Sequence, residues 1–416
     1  MTTSGGTRAA GMLSSWVRNP EFKKLSVLIG TALIDMIGFA IIFPLLPYYA
    51  LDLKATPFQI GLITAAFSVA QLAASPLWGR VSDHHGRRPA LLVGLAASGV
   101  AYVVFGFATS IWVLLLSRLI QGAGGGTTGV LHAYVGDAIE PARRAQALGW
   151  ISAATGLGVS IGPAIGSFAF KFGPAVPGLV AGSLCLINLF FTWRWLPESR
   201  RPLAAGDPPR PRPRVAKAVL SVVTHPRQPV SRLTWIYGAG MLGFSGMTAV
   251  FALFLNDVFG VGAGQIGVYF TYVGLLSFVM RAILLGPVIQ RIGEHGAIRL
   301  GTISLVVGLL LYPLVSASWV LWFVMPLIPI GTALVFPATT ALMSKVSDPA
   351  TLGTTMGVAQ TFAGIARVVA PLLATSLFQR FGPGAPFYTA ALIVAGVGVL
   401  AFRLPVGMAR PAERSH

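Results

Sequence analysis

Residues 58–78 carry no charged side chain, and neither do residues 90–112. Between them lies a dense polar stretch, Gly79-x-x-x-Asp83-x-x-Gly86-Arg87-Arg88. Uncharged runs of about 20 residues match the thickness of a bilayer crossed by an α-helix. Inside lipid the backbone must satisfy its own hydrogen bonds, so the choice is helices or a closed barrel. Barrel strands alternate polar and apolar residues. These runs are continuously apolar, so the expectation is an all-α membrane protein.

Composition agrees. Only 10% of the 416 residues are charged, against about 25% in soluble proteins. The net charge of +18 would suggest nucleic acid in a soluble chain. Here the basic residues sit in short connections between apolar runs, which is a topology signal. No nucleic-acid partner is expected; the partner that the composition implies is the lipid bilayer. The lone Cys185 is read as a packing residue. No cluster has metal-ligand spacing, and no Walker-type loop is present. Neither a metal nor a cofactor is expected, and the chain is not read as an enzyme.

The apolar runs predict twelve spans, at about 25–50, 58–79, 89–109, 111–136, 145–170, 176–196, 232–257, 264–289, 296–316, 318–344, 351–379 and 385–404. The expected organisation is a cytoplasmic tail (1–24), a six-helix bundle (25–196), a Pro- and Arg-rich cytoplasmic linker (197–230), a second bundle (231–405) and a cytoplasmic tail (406–416). Within the linker, residues 215–224 could form a surface helix. Of 30 basic residues, three lie inside spans: Arg118, Arg281 and Arg367. Lys54, Lys171 and Arg380 fall on one side, and the remaining 24 fall on the other with both termini. The positive-inside rule makes that side cytoplasmic. A multi-pass protein of the inner (plasma) membrane, acting as a monomer, is expected.

The halves repeat. Glu140-Pro141-Ala142 returns as Asp348-Pro349-Ala350, Gly156 as Gly364, Pro163 as Pro371, and Phe172-Gly173-Pro174 as Phe381-Gly382-Pro383. The offset stays at 208 or 209 residues. Two parallel six-helix repeats about a midplane site are a transporter design.

At this point the motifs resemble a family. The stretch from Gly79 to Arg88 is similar to the signature between spans 2 and 3 of the major facilitator superfamily. Leu114-x-x-x-Arg118-x-x-Gln121-Gly122 resembles its span 4 motif. Gly158-x-x-x-Gly162-Pro163-x-x-Gly166 resembles the antiporter motif of span 5. Asp35, with Pro44 and Pro47, resembles span 1 of the drug:proton antiporters, and the tetracycline efflux proteins are the most similar of these. The resemblance implies two pseudo-symmetric bundles of six helices and proton-coupled efflux of drugs or other small amphipathic compounds, with a small-molecule substrate and protons as partners. It does not carry over tetracycline itself. Those antiporters hold acids in spans 3 and 9, where this chain has Ala101 and the acid-free residues 301–312.

Asp35 is the only acid deep in a span. A charge there costs roughly 2.5–3.5 kcal/mol on insertion scales, so it should face a cavity or a partner. It is read as proton carrier or substrate partner, with a structural ion pair to Arg118 as the plain alternative. Arg118 stays charged and is read as tuning Asp35, with Gln121 beside it. Arg367 is a cavity candidate. Arg281 is placed about five residues inside the cytoplasmic end of span 8, where snorkelling would suffice. Three buried arginines against one aspartate favour anionic or electron-rich substrates. An organic-anion or metabolite transporter working by uniport or symport is therefore the alternative function. A membrane-embedded enzyme or receptor is the third. The resemblance assigns Gly79, Asp83, Gly86, Arg87, Arg88 and Asp137 to a cytoplasmic gate. In it Arg87 pairs with Asp137, Asp83 faces the start of span 11, and the two glycines let backbones approach.

Overall fold

The computed structural model describes residues 20–126, 128–199, 215–348 and 351–404. Residues 1–19 of the expected N-terminal tail, the whole of the expected C-terminal tail, the Pro- and Arg-rich residues 200–214, and Pro349-Ala350 of the repeat lie outside the described residues. The described chain is helical throughout. Ten helical segments are long and apolar enough to cross a membrane. Their outer faces stay apolar: Val93, Val100, Trp319, Phe323 and Leu392 are all more than half exposed. Such a surface suits lipid rather than water.

The chain divides into two compact units. The first comprises residues 1–43, 70–108 and 112–207, and the second residues 44–69, 109–111 and 208–416. Unit boundaries thus fall within the first two spans rather than only in the central linker.

In the first unit, α1 (Pro20–Ile42) starts inside the expected tail and stops where Pro44 approaches. A short α2 (Leu46–Asp52), which belongs to the second unit, follows with Pro47 in its first turn. Pro at that position forfeits no helical bond. Next, α3 (Pro57–His85) runs through the whole of Arg80–His85, so the polar stretch is not a loop. One residue, Gly86, separates it from α4 (Arg87–Gly106). Its φ of 98° is a conformation that favours glycine. The expected span 2 ended at 79 because hydropathy falls there. Hydropathy marks where lipid ends, and a polar helix continues readily into water.

The expected span 4 is two helices, α5 (Ile111–Gly125) and α6 (Thr128–Ala138). The glycine run breaks it. Side chains of α3 reach carbonyls here: Trp78 Nε1 donates to Ala123 O at 2.6 Å and Gln71 Nε2 to Gly125 O at 3.3 Å. The glycines also allow close approach, since a Cβ on Gly124 would lie 2.8 Å from Gly94 O. Span 5 is α7 (Pro141–Phe170), and span 6 is α8 (Val176–Trp195), which buries Cys185. One core joins Leu25 and Leu28 of α1, Leu91 of α4, Tyr134 and Val135 of α6, Ile151 of α7 and Leu196.

The surface helix expected at 215–224 is α9 (Val215–Thr224). In the second unit, α10 (Pro229–Phe259) ends on Gly260, whose φ of 64° makes the left-handed cap. Spans 8 and 9 are nearly continuous. They consist of α11 (Ala263–Val279), a π-helical turn at Met280–Leu284, and α12 (Leu285–Leu311). Gly293, at φ 67° and ψ 175°, makes the corner within α12. Span 10 breaks at Met325-Pro326 into α13 (Ser318–Val324) and α14 (Leu327–Val346). Last come α15 (Leu352–Phe381) and α16 (Ala385–Phe402). The repeat-related α7 and α15 are each 30 residues long with an internal proline, Pro163 and Pro371.

Candidate transport site

The antiporter-like motif fixes where Asp35 stands. On α7, Gly158, Gly162 and Gly166 fall at spacings of four, on one helical face. All three press on α1. A Cβ on Gly158 would lie 2.7 Å from Leu33 O, and one on Gly162 would lie 2.6 Å from Ala40 Cβ and 2.9 Å from Ile37 O. Gly166 meets Ile41 in the same way. Small residues that bring helix backbones together are the usual membrane seam. Pro163 sits within this seam, inside α7. Across another face of α1, Asn188 Nδ2 donates to Thr31 O at 3.1 Å, and the Thr31 and Thr192 hydroxyls lie 3.1 Å apart. Helix α1 is thus clamped by α7 and α8, and Asp35 rides on it.

Beside it stands a polar cluster. Gln121 Nε2 donates to Tyr102 Oη at 2.8 Å. Tyr102 packs on α1 at Gly38, where a Cβ would lie 3.1 Å from Cε2. Asp35 lies within electrostatic range of Tyr102 and Cys185, and Arg118 within range of Tyr102. The Arg118 guanidinium is 2% exposed and lies 5.0 Å from the Phe105 ring centroid. A cation over a ring gains about 0.5–2 kcal/mol. Its Nε and Nη2 have no hydrogen-bond partner among the described residues, and neither has Gln121 Oε1. A buried ion left unpaired costs several times a cation–π contact. Asp35 and Arg118 make no ion pair with each other. The structural pair weighed as the plain alternative is therefore not formed.

Most of the residues that the resemblance assigns to a gate meet at the Gly86 corner. Arg87 is 4% exposed. Its Nε donates to Asp137 Oδ2 at 2.9 Å, as the resemblance implies. Its Nη1 reaches Asp83 Oδ1 at 3.0 Å and Ser82 Oγ at 2.7 Å. Arg88 donates to Trp193 O. Gly79 is a correction: open space surrounds its missing Cβ, so it serves no close approach here. The missed residue is Glu198. It accepts from the Arg87 and Arg88 backbone N–H groups at 2.8 and 3.0 Å. A carboxylate at a helix N-terminus meets both free N–H groups and a favourable dipole. Its only sequence signal is a lone acid that follows Leu196-Pro197 just past span 6.

In the second unit, Arg367 lies midway along α15. Arg281 lies in the π-turn, twelve residues before the Gly293 corner rather than about five from the helix end. The helix outruns the apolar stretch here, as α3 does.

Comparison with known proteins agrees with this anatomy. The family model described as Major Facilitator Superfamily matches residues 28–371. Tetracycline resistance protein, class B, of Escherichia coli is 26% identical over 354 residues, 84% of this chain and 87% of that protein. Multidrug resistance protein 2 of Bacillus subtilis (strain 168) is 25% identical over 360 residues, 85% and 88% of the two chains. The crystal structure of the human organic anion transporter MFSD10 superposes with a TM-score of 0.67 at 26% identity, covering 92% of this chain and all of that one. The nucleoside transporter NupG has a TM-score of 0.71 at 14% identity, a likeness of fold alone.

Proposed function

The chain belongs to the Major Facilitator Superfamily and is a multi-pass membrane transporter of small molecules; on that premise we propose that it exports small amphipathic compounds in exchange for protons. In this reading its twelve crossings work by alternating access about a midplane site, with both termini cytoplasmic. Asp35 carries the proton. Support comes chiefly from the unpaired state of Asp35 and Arg118 beside the Tyr102–Gln121 pair. A carboxyl free of a permanent ion pair can take up and lose a proton as its surroundings change from wet to dry. Arg118 stays charged and supplies the field that the proton or substrate answers. Coupling follows if each ligand binds the two states unequally. The gate around Arg87, Asp83 and Asp137 would hold one of those states. The tetracycline and multidrug resistance relatives favour efflux.

The test uses liposomes holding the purified protein and an internal pH-sensitive dye. A proton gradient should drive dye-reported exchange with a panel of amphipathic compounds. Asp35→Asn should abolish the proton-coupled component and leave downhill substrate exchange. Survival of gradient-driven export in Asp35→Asn would remove Asp35 from the carrier role.

A further inference from the structure

The second unit holds two intramembrane arginines that the proton step does not use. We propose that Arg281 and Arg367, together with Tyr237 and Gln360, form a subsite for the anionic group, a carboxylate or sulfonate, of an amphipathic substrate. This deepens the transporter reading and rests on it.

Charge is the first reason. In this unit the acids among the described residues are Asp52, Asp257, Glu294 and Asp348, and each stands at a helix end or corner. Glu294 is already engaged by Lys345. Neither Arg281 nor Arg367 has an ion pair or hydrogen bond among the described residues. Two permanent cations in the span region without a counter-charge are expensive, and intramembrane ionisable groups mark pathways by default.

Convergence is the second. The Tyr237 hydroxyl lies within electrostatic range of both guanidinium groups. It accepts from Gln360 Nε2 at 3.4 Å. Phe336 packs edge-on against the Tyr237 ring at 5.2 Å. The Tyr237–Gln360 bond joins α10 to α15, and Phe336 ties them to α14, the element against which the π-turn packs.

Local geometry is the third. Arg281 sits on the only π-turn among the described residues. Such turns recur at functional sites, because the extra residue redirects a side chain. Arg281 is exposed in spite of its depth. Its guanidinium belongs to a residue twelve positions before the helix corner. Its fork suits a carboxylate's two oxygens, and the aromatic rings offer the apolar part a surface.

The test is binding by purified full-length protein in detergent, read by fluorescence. Three probes share one ring system: dansylglycine, its methyl ester and dansylcadaverine. The wild type should bind dansylglycine at least about tenfold more tightly than the ester, as expected for a hydrogen-bonded charge. In Arg281→Gln and Arg367→Gln that preference should fall, and in the double variant it should vanish while ester binding stays within about twofold. Arg367→Lys should keep part of it, which separates lost charge from lost folding. Equal binding of acid and ester by the wild type, a preference that survives in the double variant, or binding of none of the three would overturn the subsite. The same probes in liposomes separate the two readings. An acid preference without any transport spares the subsite and sinks the transporter reading. Transport of ester and amine without an acid preference does the reverse.

Discussion

Replacing Glu198 by alanine should loosen the first bundle at its cytoplasmic end. The side chain accepts two backbone N–H groups of α4, from Arg87 at 2.8 Å and Arg88 at 3.0 Å. It also brings a negative charge to that helix's N-terminus. Losing a helix cap costs about 0.5–2 kcal/mol, and losing the charge about 0.3–1 kcal/mol. Glu198 is exposed, so water recovers part of both. The net loss should be about 1–2 kcal/mol, or roughly 2–8 °C in midpoint for a bundle of this size. Glu198→Gln keeps one acceptor oxygen and should lose about half as much. The protein carries its own reporter. Cys185 is its single cysteine and is fully buried on α8. A thiol-reactive dye that fluoresces on coupling should therefore label it only as the first bundle opens. The midpoint of labelling against temperature gives the ranking wild type, Glu198→Gln, Glu198→Ala. If alanine labels at the wild-type temperature, or glutamine falls as far as alanine, Glu198 is not the cap described.

Gly162→Val should loosen the seam between α1 and α7. Valine at 162 drives branched carbons into Ala40 Cβ and the Ile37 carbonyl, backbone and side chain together. Overpacking costs about 1–3 kcal/mol, and the same labelling assay reads it as a lower midpoint; unchanged labelling would refute a closed seam. Arg87→Lys should fail to replace arginine, because one ammonium cannot reproduce the separate bonds from Nε to Asp137 and from Nη1 to Asp83 and Ser82. Its transport rate should fall while the ranking of substrates stays fixed; a changed ranking would move Arg87 from the gate to the site.

Much of this was legible in the sequence, for physical reasons. Uncharged runs of bilayer length give the helices away, since lipid admits little else. Glycines at 158, 162 and 166 state a close seam by their spacing alone. Helix ends were less legible. The apolar stretch stops at Trp78, yet α3 continues to His85, because leaving lipid is no reason to unwind. The same effect displaced Arg281 from its expected depth. Interruptions by Pro44 and Pro326, and at the glycine run 122–126, carried visible residue signals that a hydropathy reading smooths over. Glu198 was hidden for a different reason: its partners lie more than a hundred residues away in the chain. Tyr237 and Gln360 come from distant segments in the same way, and no local pattern announces their bond.

The corner at Gly86 has a mechanical side. Two long helices, α3 and α4, meet with a single residue between them, and Arg87 and Glu198 brace that residue from both flanks. A connection this short has no slack to absorb displacement. Any displacement of α3 must pass to α4 through that one residue.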